Sequence, residues 1–185
     1  MKLNLIVVSL TTTVSLLATA ASASTGTIHF NGELTDVTCK VDIEGQGANP
    51  TITLPTVPVS VLTTAGEVAG NTAFNLNLSD CALGSSGKTK VSAFFETGVT
   101  VDQSTGRLKN TLTDSTAATN VQLQIRDANS MTIKLGNTTQ VTENPYVTIA
   151  ADNTATIPYS VEYYALGQTT AGKVASNVVY TLQYK

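Results

Sequence analysis

Few residues of this sequence have the types and spacing that catalysis or metal binding requires. His29 is the only histidine, which excludes a multi-histidine metal site and disfavours a histidine-dependent catalytic triad. Two serines lie between glycines at residues 84–87, but their spacing is not that of a nucleophile elbow and indicates a turn. Residues 127–129 begin like a calcium loop, yet Met131 and Thr132 stand where a ligand and a glycine are needed. We therefore expect no enzyme, no catalytic residues, no metal and no cofactor.

The cysteine chemistry of the chain is limited to one pair. Cys39 and Cys81 are the two cysteines, and neither has a second cysteine at CxxC spacing, so redox and metal roles are disfavoured. In an exported chain an even cysteine count predicts a disulfide, and two buried free thiols are the alternative. A bond between the two would stabilise the fold by about 4 kcal/mol in the chain-entropy description.

The first 23 residues predict a secretory signal peptide. Lys2 supplies the positive start, residues 3–18 the apolar run, and an Ala-Ser-Ala sequence at residues 21–23 the exit. Polar residues interrupt the run, which falls short of the roughly 20 apolar residues that cross a bilayer, so a membrane anchor is disfavoured. Cleavage before Ser24 would leave one domain of 162 residues, exported and without membrane insertion.

The charge balance excludes a nucleic-acid partner. Without Lys2, nine of the 10 basic residues remain against 13 acidic residues, a net charge of −4. A nucleic-acid-binding domain carries a basic patch, which this composition does not supply. Only 12% of the residues are charged, so Thr, Ser, Asn and Gln supply most of the polar surface. Such a surface suits close packing against other proteins outside the cell.

An apolar–polar alternation with a period of two dominates the chain after the signal, which is typical of half-buried strands. Turn signals separate the alternating runs, as at residues 45–47, 84–87 and 152–153. Residues 63–73 could hold a short helical turn, and no longer helix is expected. The pattern predicts one all-β domain, a sandwich or a barrel. The alternating runs are Val37, Cys39, Val41 and Ile43; Phe74, Leu76 and Leu78; Val91, Ala93 and Phe95; Val121, Leu123 and Ile125; Met131, Ile133 and Leu135; and Val178, Tyr180, Leu182 and Tyr184.

The two ends of the chain suggest complementary strands. Residues 26–34 alternate strictly before the cysteine-containing body begins, with Ile28, Phe30, Gly32 and Leu34 on one face and His29, Asn31 and Glu33 on the other. The last alternating strand runs to Lys185, so a sheet that ends there has an unpaired edge and an uncovered apolar face. Proteins normally hide such edges. We expect one terminus to expose what the other terminus covers.

Several motifs together resemble one protein family. Tyr184 is the penultimate residue and Gly172 is fourteenth from the end, as in the C-terminal signature of that family. Further matching stretches are Gly26 to Leu34, Cys39-Lys40-Val41-Asp42, Phe74-Asn75-Leu76 up to Asp80-Cys81, residues 118–125, and Ile157-Pro158-Tyr159 through Tyr163-Tyr164-Ala165 with Gly167. In this order and with this cysteine spacing, they resemble the pilins of chaperone–usher pili, most closely the major pilins of type 1 fimbriae.

The resemblance implies an incomplete immunoglobulin-like β-sandwich whose missing last strand leaves an apolar groove. The domain would comprise residues 36–185, and residues 24–35 would form an N-terminal donor-strand extension. A periplasmic chaperone would first fill the groove with its own strand and hold the C-terminal carboxylate. At the outer-membrane usher, the extension of the next subunit would replace the chaperone strand, which is strand addition to a sheet edge.

The resemblance also implies roles for individual residues. Ile28, Phe30 and Leu34 would insert their side chains into the groove of a neighbour, and Gly32 would lie where the groove is too shallow for a side chain. The groove wall would include apolar residues of the first strand after Thr35. The remaining residues of the groove and of chaperone recognition would be Gly172, Val178, Tyr180, Leu182, Tyr184 and Lys185.

We therefore predict a structural subunit of a bacterial surface fimbria that is exported through the periplasm, polymerises with copies of itself and supports adhesion. Two alternatives share the same architecture. One is a minor adaptor or tip-proximal pilin of the same system. The other is a self-complemented secreted binding module, whose own extension fills its own groove.

Overall fold

The computed structural model describes residues 26–185. The predicted signal peptide and the first two residues of the predicted donor-strand extension lie outside the described residues. The chain divides into two units between Glu33 and Leu34. Residues 34–185 form one compact body. Residues 26–33 are exposed and part of no strand. No helix among the described residues is long and apolar enough to cross a membrane.

The body is built from antiparallel strands, and its helical content is one 3₁₀ turn and one single-turn helix. In chain order, the elements are β1 (Thr38–Ile43), the 3₁₀ turn (Val59–Val61), β2 (Val68–Ala82), β3 (Lys90–Phe95), β4 (Val101–Asp102), β5 (Arg107–Lys109), β6 (Val121–Arg126), α1 (Gln140–Glu143), β7 (Val147–Thr148), β8 (Ala155–Ala165) and β9 (Tyr180–Tyr184). One sheet has six strands in the order β1-β2-β8-β6-β5-β4, and the other has three in the order β7-β3-β9. All ladders of these two sheets are antiparallel, and the predicted all-β class is confirmed.

The core lies between the two sheets and contains the inward positions of the alternating strands. Tyr159 of β8 joins the sheets, since its ring contacts Phe74 and Phe95 at centroid distances of 5.8 and 5.2 Å. Its hydroxyl accepts a hydrogen bond of 3.0 Å from the main-chain N–H of Ala93 in β3. The other buried side chains of the strands include Leu76, Leu78, Val91, Leu108, Leu123, Ile125, Ile157 and Val161.

The predicted disulfide is confirmed. Cys39 and Cys81 are bonded, with their Cα atoms 4.1 Å apart. The bond joins β1 to the end of β2 at a point where the register of the two strands shifts, between Thr38 and Lys40. An extra residue in one strand of an antiparallel pair bends that strand, and here the disulfide fixes the bend.

Residues 63–73, where the sequence permits a short helical turn, contain a non-helical turn and the start of a strand. The carboxylate of Glu67 accepts hydrogen bonds of 2.6 and 2.9 Å from the main-chain N–H groups of Thr63 and Thr64. Strand β2 then begins at Val68 and pairs with β8. Pairing with a long neighbouring strand prevails over the weak local helical preference.

Candidate functional site

Within residues 26–185, one edge of the three-stranded sheet has no partner strand. Lys185 donates to and accepts from Lys90, with both hydrogen bonds at 2.9 Å. In an antiparallel strand, the main-chain N–H and C=O groups of successive residues point alternately toward and away from the partner strand. The main-chain groups of Tyr180, Leu182 and Tyr184 therefore point away from β3. In the described part of the chain no strand pairs with β9 on that side. These residues therefore present a row of main-chain donors and acceptors to any strand that enters.

On its other side, by contrast, β3 pairs with β7 at Lys90 and Val91 and is covered beyond that short pairing by side chains. Gln140 of α1 accepts from the main-chain N–H of Phe95 at 3.0 Å and donates to its carbonyl at 2.9 Å. The side-chain amide of Asn144 donates to the carbonyl of Ala93 at 3.1 Å. The β7 side of β3 is thus covered by a short strand and by polar side chains, whereas the β9 edge is open, although unpaired edges are usually concealed.

Strand β9 and the two residues before it also present an apolar face toward the core. Val178, Tyr180, Leu182 and Tyr184 are half-buried and pack against the core, whereas the intervening Val179 is 67% exposed. The structure therefore brings these four predicted groove residues together on one face.

One tyrosine reaches from β9 to the opposite wall of a gap. The hydroxyl of Tyr180 donates to the carbonyl of Ala48 at 3.0 Å. Burial raises the pKa of this phenol, so it is a neutral hydrogen-bond donor at physiological pH. The two walls are therefore held together across the gap by this side chain.

The gap lies between residues 48–59 on one side and residues 172–180 on the other, and we call it the seam. Two clefts lie along the seam. The first cleft has a volume of about 520 Å³ and opens onto buried core side chains. The second cleft has a volume of about 690 Å³ and shares no lining residue with the first. The first is lined by Ile43, Ile52, Leu54, Phe74, Leu76, Phe95, Leu108, Leu123, Ile125, Val161 and Val178 among others, and the second by Val57, Val59, Leu62, Leu112, Val121, Tyr163 and Val174 among others.

The first cleft contains a polar atom without a partner. The hydroxyl oxygen of Ser176 is buried and has no hydrogen-bond partner among the residues that the structure describes. Ser176 lines the first cleft on the β9 side of the seam. A buried hydroxyl without a partner is costly, and the main chain of an inserted strand would offer donors and acceptors to it.

Gly172 lines the second cleft, where it lies against another main chain. A Cβ atom at this position would be 2.4 Å from the main-chain nitrogen of Ala118 and 2.6 Å from the carbonyl carbon of Ala117. Its neighbour Lys173 donates to Thr116 at 2.7 Å and accepts from Ala118 at 2.9 Å. The glycine therefore permits a close main-chain contact within the body, a role that the sequence pattern did not indicate.

The predicted donor side chains are exposed. Ile28, Phe30 and Leu34 are 77%, 89% and 98% exposed. A Cβ atom at Gly32 would have no atom within 4 Å. Large apolar side chains therefore lie exposed at alternate positions of this segment, an arrangement that often marks an interaction surface.

The wall formed by residues 48–59 is the part of the site that sequence reasoning missed. The expected wall included apolar residues of the first strand after Thr35, and from that strand only Ile43 lines either cleft. Ile52 and Leu54 do alternate, but prolines at positions 50 and 55 bracket them and argue against a paired strand. That alternation between two prolines was the available signal.

The site has the chemistry of strand binding. It combines unpaired main-chain groups on β9, half-buried apolar side chains and two clefts that reach the core. Among residues 26–185, no three side chains of the metal-ligating types His, Cys, Asp and Glu come together. The arrangement can hold an extended peptide whose alternate side chains are apolar.

Comparison with known proteins identifies the family. The family model described as "FimA: Type-1 fimbrial protein, A" matches residues 54–185. The chain belongs to the type 1 fimbrial protein family. A relative from Stenotrophomonas maltophilia (strain K279a), the "Major fimbrial subunit SMF-1", is 43% identical over 89% of this chain and 95% of that protein. The "F17 fimbrial protein" of Escherichia coli is 39% identical over 92% of this chain and 95% of that protein.

The fold agrees with this membership. The crystal structure of the P pilus rod subunit PapA superimposes with a TM-score of 0.58, 18% sequence identity, and coverage of 79% of this chain and 99% of the other. The predicted fold class, an incomplete immunoglobulin-like pilin sandwich, is thereby confirmed. This type 1 fimbrial protein is a structural pilin subunit that assembles into a surface fimbria after export through the periplasm.

Proposed function

We propose that this fimbrial subunit polymerises by donor-strand exchange, in which residues 24–35 of one copy enter the seam of the next. The observation that carries the proposal is the open edge of β9 beside two clefts that reach the core. The exposed apolar face of residues 28–34 supplies a strand of matching character. Addition of a strand to a sheet edge obtains affinity from main-chain hydrogen bonds and specificity from side-chain pockets.

The antiparallel ladders of the body favour an antiparallel donor strand. In that orientation the C-terminal end of the donor segment lies near the start of β9, so Leu34 would enter the second cleft beside Val174. Phe30 is four residues earlier, which is about 13 Å along an extended chain, and would enter the first cleft. Gly32 would then cross the boundary between the two clefts, where their linings do not overlap.

Burial of the donor side chains would supply the assembly energy. Ile28, Phe30 and Leu34 contribute roughly 1.5–3 kcal/mol each when fully buried, on the order of 5–9 kcal/mol together. Hydrogen bonds to the open edge of β9 would add to this. Because dissociation would require opening of the receiving core, we expect the lifetime of the fibre to be set by a slow unfolding rate.

A subunit with an open seam needs protection before it assembles. An unpaired edge beside an apolar cleft is a template for aggregation, so we propose that a periplasmic chaperone fills the seam first. Recognition would involve the β9 face, the terminal residues Tyr184 and Lys185, and the Gly172 region. The outer-membrane usher would then be the place where the donor segment of the next subunit replaces the chaperone strand.

The test is deletion of residues 24–35 from the mature chain. We expect the shortened subunit to remain monomeric in size-exclusion chromatography and to form no fibres in electron microscopy. A synthetic peptide of residues 24–35 should bind to it, because its seam is intact. The same peptide with Gly32→Leu should bind much more weakly, since a large side chain would meet the boundary between the clefts.

A matched control changes the polar face of the donor segment. His29→Ala in the full chain should leave fibre assembly unchanged, since this side chain would point away from the clefts. Normal fibres from the deletion variant would overturn the proposal. A full-length monomer whose residues 26–34 are protected from proteolysis would instead indicate a self-complemented module.

A further inference from the structure

The donor segment contains a chemically labile pair of residues. Asn31-Gly32 is the only Asn-Gly pair in the sequence. Both residues are exposed and belong to no strand, and no described atom lies within 4 Å of a Cβ position at Gly32. Asparagine is a thermolabile residue, and a following glycine offers the least steric protection to its side chain.

The reaction needs only water and involves no change of oxidation state. The main-chain nitrogen of Gly32 attacks Cγ of Asn31, a C–N bond forms, and the proton of that nitrogen passes to solvent. The Cγ–Nδ2 bond breaks, and the side-chain nitrogen leaves as ammonia after taking up a proton. Water then opens the resulting succinimide at either carbonyl, which gives aspartate or isoaspartate at position 31.

We propose that Asn31-Gly32 is a site of spontaneous deamidation that disables the donor segment of subunits that remain unassembled. Isoaspartate routes the main chain through the former side chain and so adds one backbone carbon between positions 31 and 32. The alternation of a strand has a period of two, so this insertion displaces Gly32 and Leu34 relative to Ile28 and Phe30. The modified segment can no longer direct all four positions to one face.

Assembly stops the reaction, a consequence that rests on the proposed donor-strand exchange. Ring closure requires Gly32 nitrogen to approach the side chain of Asn31, and a strand held between β9 and residues 48–59 lacks this freedom. The reaction in the fibre would need local opening of a paired strand, which costs free energy. Deamidation of Asn31 therefore accumulates with time in unassembled subunits, whereas subunits in the fibre keep the asparagine.

The experiment follows position 31 by peptide mass spectrometry. The mature chain purified as a monomer and fibres of the same protein are incubated side by side at mildly alkaline pH. We expect the monomer to convert Asn31 to the acid, with isoaspartate detected by enzymatic methylation. Conversion in the fibre should be at least about tenfold slower, because the strand must open first. Aged monomer should lose its ability to extend fibres in proportion to its isoaspartate content.

Two variants separate the charge from the added backbone carbon. Asn31→Gln should show no conversion at position 31 and should keep its assembly activity on ageing. Asn31→Asp carries the charge of the product without the extra carbon and should still assemble. Assembly failure of fresh Asn31→Asp would overturn the proposed role of the displaced backbone.

The remaining outcomes distinguish this inference from the proposed function. An Asn31 that stays intact in the monomer, while deletion of residues 24–35 abolishes fibres, overturns the deamidation site alone. Equal conversion in monomer and fibre overturns the protection. If the deletion variant also forms normal fibres, the donor-strand proposal fails with it.

Discussion

At the scale of single residues, Gly172 shows how a family signature can have a structural cause. Its position is fixed by the approach of residues 172–173 to the main chain at 116–118, where two hydrogen bonds join the segments. A methyl group there would lie 2.4 Å from the nitrogen of Ala118, so one of the two main chains must move. Because both belong to the second cleft, the displacement would also deform the seam.

Gly172→Ala should therefore destabilise the body by about 1–3 kcal/mol, the usual cost of forcing an extra carbon into a packed site. Urea unfolding of the monomeric variant measures the effect. Gly167→Ala is the matched control, because a Cβ atom at Gly167 would meet nothing within 4 Å. Equal midpoints for the two variants would show that the contact at Gly172 is easily relaxed.

Asp102 provides a residue-scale test of electrostatics. Its carboxylate accepts hydrogen bonds from the Ser104 hydroxyl at 2.7 Å and the Gln122 amide at 2.8 Å. These bonds, the Ser104 hydroxyl first, lower the pKa of Asp102 from 3.8 to about 2. A depressed pKa in the folded state means that the stabilisation is present above the unfolded pKa and lost as the pH falls through the folded one.

Asp102→Asn should accordingly be less stable than the wild-type protein near neutral pH, and the difference should vanish as the pH falls from about 4 to about 2. Urea midpoints measured across this pH range provide the check. A difference that does not change with pH would mean that the amide loses packing or geometry, not charge-assisted hydrogen bonds.

At the scale of elements, the three-stranded sheet is covered on the β7 side of β3 and open at β9. One turn of helix places Gln140 against β3, where its amide group replaces a strand at Phe95. Gln140 is fully buried, so its loss would leave the main-chain N–H of Phe95 without a partner. The carbonyl of Phe95 would keep its hydrogen bond from the N–H of Gly136.

Gln140→Ala should therefore lower the free energy of unfolding by about 2 kcal/mol or more. It should also accelerate hydrogen exchange at the amide of Phe95, which NMR can follow residue by residue. Val141→Ala, at the next and more exposed position of α1, is the control and should change both quantities little. Unchanged exchange at Phe95 in the Gln140 variant would show that another group covers this edge.

Strands were predictable from sequence where one face of the strand is buried and the other is exposed to solvent. The runs at Phe74–Leu78 and Val121–Ile125 lie in β2 and β6, and their apolar positions enter the core. The wall at residues 48–59 was not predictable in the same way. It contains three prolines, forms no ladder, and is defined only by what it faces across the seam.

At the scale of the whole molecule, the sequence predicted the class of fold, which is confirmed, and an apolar strand-binding groove, which stays a prediction. The alternation and the turn residues favour a sandwich, and the even cysteine count in an exported chain predicts a disulfide. The volumes and linings of the two clefts could not be predicted, since they depend on how far the two walls stand apart. That spacing follows from tertiary contacts such as the Tyr180–Ala48 hydrogen bond, which join residues distant in sequence.

The disulfide stabilises the whole body. It closes a loop with a sequence separation of 42 residues, and its loss should cost about 4 kcal/mol through the entropy of the unfolded chain. Replacing both cysteines by serine should therefore lower the free energy of unfolding.

Urea unfolding of the oxidised protein, the reduced protein and the Cys39→Ser, Cys81→Ser variant tests this. The two proteins without the bond should share a lower midpoint and a steeper denaturant dependence, because an unlinked chain exposes more surface when it unfolds. Binding of the synthetic peptide of residues 24–35, measured below the unfolding transition on variants lacking the extension, should stay the same, because neither cysteine lines the two clefts. A lower peptide affinity after reduction would mean that the disulfide also shapes the clefts and does not act on the unfolded chain alone.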